Sequence, residues 1–93
     1  MQPLEKLKMM EKIVRELDDV QHSQTSVLKK ISQVEADNIN LGNAGLEKQL
    51  TDIYAILSTN LELVTDLHRN FSQETDEFRK VNKLEEVPDL ETN

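Results

Sequence analysis

The chain has no cysteine and no tryptophan, and only two glycines and two prolines in 93 residues. Without cysteine there is no disulfide, no thiolate nucleophile and no thiolate metal ligand. So little glycine and proline excludes the turn-rich pattern of a sandwich or barrel and suits long helices. Aromatic residues are scarce too: Tyr54, Phe71 and Phe78 are all there are. A small domain usually anchors its core on several such rings, so their scarcity points to a core completed by other chains. No apolar run approaches the ~18 residues of a membrane-spanning helix. The N-terminus lacks the apolar centre of a signal peptide. Gln2 stands where myristoylation needs glycine, and Asn93 is not a prenylatable cysteine. The expected location is intracellular, cytoplasmic or nuclear, and the chain is expected to be neither secreted nor transmembrane.

Positive charge is also short, with 11 Lys and Arg against 18 Asp and Glu, a formal charge of −7. Nucleic acid is therefore an unexpected partner, since binding it takes a basic face that displaces counterions. Lys6, Lys8, Lys12 and Arg15 do cluster, but Glu5 and Glu11 are interleaved with them. Membrane contact is expected to be indirect at most.

Nothing in the sequence assembles a catalytic constellation. His22 and His68 are the only histidines, and a metal site needs further converging ligands. Gly42 and Gly45 form no phosphate loop, because no strand precedes them and no Lys-Ser/Thr follows. Asp18-Asp19 and Asp76-Glu77 are adjacent carboxylates that diverge by about 100° on a helix. No catalytic residue, no metal site and no cofactor is expected, and the chain is not expected to be an enzyme.

What the sequence does have is two ladders with alternating steps of three and four residues. The first is Met10, Ile13, Leu17, Val20, Gln24, Val27, Ile31, Val34, Asn38 and Leu41. The second is Leu46, Leu50, Ile53, Leu57, Asn60, Val64, Leu67, Phe71, Glu74, Phe78 and Val81. This spacing keeps one face of a helix towards a partner. In heptad terms Met10, Leu17, Gln24, Ile31 and Asn38 occupy a, and Ile13, Val20, Val27, Val34 and Leu41 occupy d. In the second ladder Leu50, Leu57, Val64, Phe71 and Phe78 are a, and Leu46, Ile53, Asn60, Leu67, Glu74 and Val81 are d. Leu7, Val14 and Leu28, then Tyr54 and Leu61, add an e stripe, and Ile56 and Leu63 add a g stripe. Stripes this wide suit a bundle of more than two helices. β-branched residues at d also disfavour the parallel dimer.

The expected partner-helix interface is therefore Met10, Ile13, Leu17, Val20, Val27, Ile31 and Val34 on the first helix. On the second it is Leu46, Leu50, Ile53, Leu57, Leu61, Val64, Leu67, Phe71 and Phe78. Gln24, Asn38 and Asn60 interrupt these seams as polar layers that set register and partner number. Glu74 belongs to a tolerant edge, because an unpaired buried charge is too costly. Arg69 is expected on the solvated face.

The segment Asn38-Ile39-Asn40-Leu41-Gly42-Asn43-Ala44-Gly45 breaks the pattern. Asn and Gly tolerate the left-handed conformation that ends helices, and Asn43 is placed to cap the next one. The expected fold is all-α: two long amphipathic helices forming a helical hairpin or a kinked rod within a coiled-coil bundle. Helix one runs from about 4 to 40, starting at Pro3; the break covers 41–45; helix two runs from about 46 to 84. Matched lengths and a short connection favour the antiparallel hairpin. Residues 85–93, acidic and containing Pro88, read as a disordered tail.

The stretch from Leu17 to Lys80 resembles the small coiled-coil subunits of complexes that control lysosome-related organelles and lysosome positioning. KxDL-motif proteins carry Lys-x-Asp-Leu followed by an aromatic residue. The matching stretch here is Val64-Thr65-Asp66-Leu67-His68-Arg69-Asn70-Phe71, with Val64 where the motif has lysine. Snapin-like proteins carry a Ser-Gln in a Leu-rich first helix, as in Val20-Gln21-His22-Ser23-Gln24. The resemblance implies a non-catalytic subunit of a rod-like hetero-oligomer that recruits trafficking machinery. The chain is also similar to the small helical subunits of the DASH kinetochore ring, in length and in its Asn/Leu-rich helices, which implies a microtubule-coupling role. A small Mediator-type subunit, of a transcription-regulatory complex, is a third relative in style. A self-contained homo-oligomerisation module is the reading outside this class.

Overall fold

A computed structural model describes residues 1–84 and is all-α. Helix α1 spans Pro3–Leu41 and α2 spans Ala44–Val81. The expected acidic tail lies outside the described residues. Contacts divide the chain into two compact units, one of residues 19–65 and one combining 1–18 with the segment from Asp66 onward. Each consists of antiparallel lengths of α1 and α2.

In the unit of residues 19–65 the turn decides the geometry. Gly42 has φ +73°, the left-handed value that glycine adopts without a Cβ penalty, and its N–H donates to the Asn38 carbonyl at 2.6 Å. Asn43 caps α2, its Oδ1 accepting from the Leu46 N–H at 2.9 Å, the N-cap bond to the third helical residue. Asn38 then ties the two helix ends together. Its Nδ2 donates to the Asn43 carbonyl at 3.0 Å, and its Oδ1 accepts from the Asn43 N–H at 3.2 Å. Asn38 is buried, so this reciprocal pair satisfies an amide that would otherwise be costly. The expectation that Asn38 forms a register layer against a partner helix is corrected: the side chain closes the turn of its own hairpin. Further along, Gln21 Nε2 donates to Thr65 Oγ1 at 3.1 Å, which sets the level of α1 against α2 within this unit. The chain reverses here, and the kinked-rod alternative is excluded at this turn.

In the other unit, Leu7 is fully buried and Met10 and Thr75 nearly so. Thr75 tolerates burial because its hydroxyl donates to the Phe71 carbonyl at 2.8 Å. Arg79 Nη2 donates to Glu11 Oε2 at 2.8 Å while Nη1 donates to Asp76 Oδ1 at 2.6 Å. The bond to Glu11, then that to Asp76, raises the Arg79 pKa further above its ordinary value. The Lys6 ammonium lies 5.3 Å from the Phe78 ring centroid, within cation–π range.

Helix α2 ends at Val81, short of the expected Leu84. The Leu84 N–H donates to the Arg79 carbonyl and the Lys83 N–H to that of Lys80, with Lys83 at φ 57°. This is the Schellman closure, and the left-handed residue stops the helix. Charges agree with the helix dipoles: Glu5 and Glu47 sit in first turns, and Arg79 and Lys80 in the last turn of α2.

The two glycines respond oppositely to alanine. Gly42→Ala forces a Cβ into the left-handed region and is expected to cost about 1 kcal/mol. Gly45 lies in the first turn of α2 with only an ordinary 3.6 Å contact to a new Cβ, and Gly45→Ala is expected to gain about 0.5–1 kcal/mol. Urea denaturation of both variants checks the pair.

Candidate assembly surface

Burial along both helices follows steps of three and four, but one column away from the expected seam. On α1 the residues turned inward are Leu7, Met10, Val14, Leu17, Gln21, Gln24, Leu28, Ile31, Glu35 and Asn38. On α2 they include Leu50, Leu57, Leu61, Val64, His68, Phe71, Thr75, Phe78 and Asn82. These are the a and e columns. The d column, expected inside the seam, faces outward: Ile13, Val20, Val27 and Val34 on α1, and Ile53, Leu67 and Val81 on α2 are all exposed.

Of the expected interface residues, Met10, Leu17, Ile31, Leu46, Leu50, Leu57, Leu61, Val64, Phe71 and Phe78 are buried or half-buried within the chain itself. Ile13, Val20, Val27, Val34, Ile53 and Leu67 are not. The division has a geometric cause. Columns a, d and e fall within about 100° of one another on a helix, and a single neighbour cannot cover all three. Tyr54 shares the e column yet stays exposed, as does Ile56 at g.

In the unit of residues 19–65 the outward columns form one face. The d column lies on the same rotational side of the seam in both helices. Because the helices run in opposite directions, both d columns then emerge on the same side of the pair. Val27 is six residues beyond Gln21 and Asn60 five before Thr65, so the two stand level to within about 1.5 Å. Val34 and Ile53 are level by the same argument. Val20, Val27, Val34 and Ile53 are 42–44% exposed, and Ile56 and Leu63 on the α2 flank are 61% and 62% exposed. Asn60 sits at the centre and is exposed. The opposite side carries Thr25, Ser32, Thr51, Ser58 and Thr65, with Thr25 and Thr51 donating to their own i−4 carbonyls.

The polar residues of the two ladders thus have three different roles. Asn38 closes the turn, and Asn60 lies on the outward face. Gln24 is inside the seam, where its Oε1 is buried without a hydrogen-bond partner. Glu74 and Arg69 are exposed, and Arg69 pairs with Asp66 at 2.7 Å. Sequence reasoning missed Gln21 and Thr75 as inward residues, although both continue the spacing of Val14, Leu28 and Leu61. Among the described residues no group of three His, Cys, Asp or Glu could hold a metal ion, and no helix is long and apolar enough to cross a membrane. A recess beside the turn, about 360 Å³ and lined by Glu35, Asn38, Ile39, Gly42, Glu47, Leu50 and Thr51, offers two carboxylates and a hydroxyl.

Gln24→Leu removes the unpartnered oxygen at nearly constant volume and is expected to stabilise the chain by about 1 kcal/mol. Leu57→Asp places a charge in the seam and is expected to cost about 3 kcal/mol or more. Denaturation followed by circular dichroism measures both. Compared with known proteins, the chain matches no family model, no curated protein and no solved structure.

Proposed function

We propose that this chain is a non-catalytic helical subunit of a hetero-oligomeric complex, joined to other helical chains by coiled-coil packing inside the cell. One observation carries the reading. In residues 19–65 the inward columns of α1 are Gln21, Gln24, Leu28, Ile31, Glu35 and Asn38, whereas its outward column is Val20, Val27 and Val34. The flank of α1 beside the seam is therefore more uniformly apolar than the seam itself. An apolar column repeated every seven residues and left in water is a docking element. The trafficking role, in organelle or vesicle positioning, rests on the resemblance at Asp66-Leu67 and Phe71. In the fold Leu67 is exposed on the outward column and Phe71 is half-buried in the seam.

Isolating the tagged full chain from its native cell tests the proposal, alongside a Val27→Asp/Ile56→Asp double variant. The wild type is expected to bring down other helical chains at fixed stoichiometry. The double variant is expected to lose them while keeping a helical circular dichroism spectrum. Recovery of the wild type free of other chains, as a soluble species of constant melting temperature, overturns the hetero-oligomer.

A further inference from the structure

We infer that the outward face of residues 19–65 is a two-fold interface with a second copy of this chain, its dyad crossing the helices at right angles at the level of Val27 and Asn60. The inference rests on the reading of that face as an assembly surface, and names one occupant for it.

The face reads nearly the same in both directions from its centre. Val20 and Val34 lie seven residues to either side of Val27. Ile56 and Leu63 lie four before and three after Asn60. An isologous interface needs this pattern, because residue i of one copy meets j of the other and j meets i. Across the proposed dyad Val20 meets Val34, Ile56 meets Leu63, and Val27 and Asn60 each meet their own counterparts.

Asn60 selects both the occupant and the axis. Its amide is the one polar group at the middle of the face, and covering it leaves it in need of a donor and an acceptor. A second copy related by this dyad brings in an identical amide, and two asparagine side chains satisfy each other. A dyad parallel to the helices would put Asn60 against Val27 of the other copy and strand the amide. A foreign helix would have to supply a polar group at this level independently.

Size and charge permit the pairing. With the dyad at Val27 the two faces overlap over the eight residues to either side of it, about 24 Å, and two helices make the face about 20 Å wide, roughly 480 Å² of footprint. That is about 60% of the roughly 800 Å² per partner of a standard interface, the size of a weak, concentration-dependent pair. The bordering columns are Ser23, Lys30 and Asp37 on α1 and Asp52 and Thr59 on α2. They carry one positive and two negative charges, so little of the net −7 opposes close approach.

The lack of cysteine allows a direct test on the full chain. Single variants Val27→Cys, Asn60→Cys, Val20→Cys and Val34→Cys are oxidised, and the wild type is followed by sedimentation equilibrium. A dimer is expected. Val27→Cys is expected to cross-link to itself about tenfold faster than Val20→Cys does, because a disulfide needs Cα atoms within about 7 Å. Val20→Cys is expected to cross-link to Val34→Cys when the two are mixed. Asn60→Cys, which also removes the amide, is expected to cross-link if it still dimerises, and Val27→Cys keeps the test intact if it does not. A monomer at submillimolar concentration overturns the inference, as does cross-linking of Val27→Cys only to Asn60→Cys. A chain that is monomeric alone yet brings down other chains through the same face loses the two-fold pair and keeps the assembly role. A chain recovered only as its own dimer does the reverse.

Discussion

A helix with one neighbour has only one side to bury. That constraint governs both units of this chain, because each pairs one length of α1 with one length of α2. The sequence supplies apolar side chains over more of the circumference than one neighbour can cover. Columns a, d and e compete for the seam, and the hairpin takes a and e. Val20, Val27, Val34, Ile53, Ile56 and Leu63 remain in water as a consequence of that choice.

What makes the choice is local chemistry at the turn. Gly42 in its left-handed conformation, the Asn43 cap and the Asn38–Asn43 pair fix where α1 stops and which way α2 leaves. Helix rotation about its own axis is then no longer free. With Asn38 drawn inward to serve the turn, residues spaced three and four before it, Glu35, Ile31, Leu28 and Gln24, are drawn inward too. The d column, one step round the helix, is carried outside. A polar side chain thereby positions an apolar surface twenty or so ångströms away, through the rigidity of the helix alone.

The two helices and the break between them were legible from the sequence, since heptad spacing and an Asn/Gly cluster are strong signals. Asn43 as a cap and Arg69 on the solvated side were legible for the same reason. The choice of columns was not. Hydrophobicity ranks Val27 above Gln24 for burial, yet Gln24 is the one turned inward. Residue types along a ladder do not encode helix rotation when three adjacent columns are all largely apolar. Asn38 carried the missing information, but its role shows only when Asn43 is brought within hydrogen-bonding distance. The end of α2 was obscured similarly: nothing about Lys83 as a residue type marks it for a left-handed φ.

The allocation of polar residues has an energetic sense. A seam holding Gln21, Gln24 and Glu35 contributes less burial energy than the same seam filled with leucine, where each full burial is worth about 2 kcal/mol. Gln21 recovers part of the loss through Thr65, whereas Gln24 Oε1 recovers none. The most uniformly apolar layer available to α1 is the valine column, and no residue of the same unit covers it fully. Burying that column against another helix adds stability where the hairpin alone is weakest, at the level of its amide-rich middle. In this unit the interior holds Gln21, Gln24 and Glu35, and the valine column beside it is the more uniformly apolar layer.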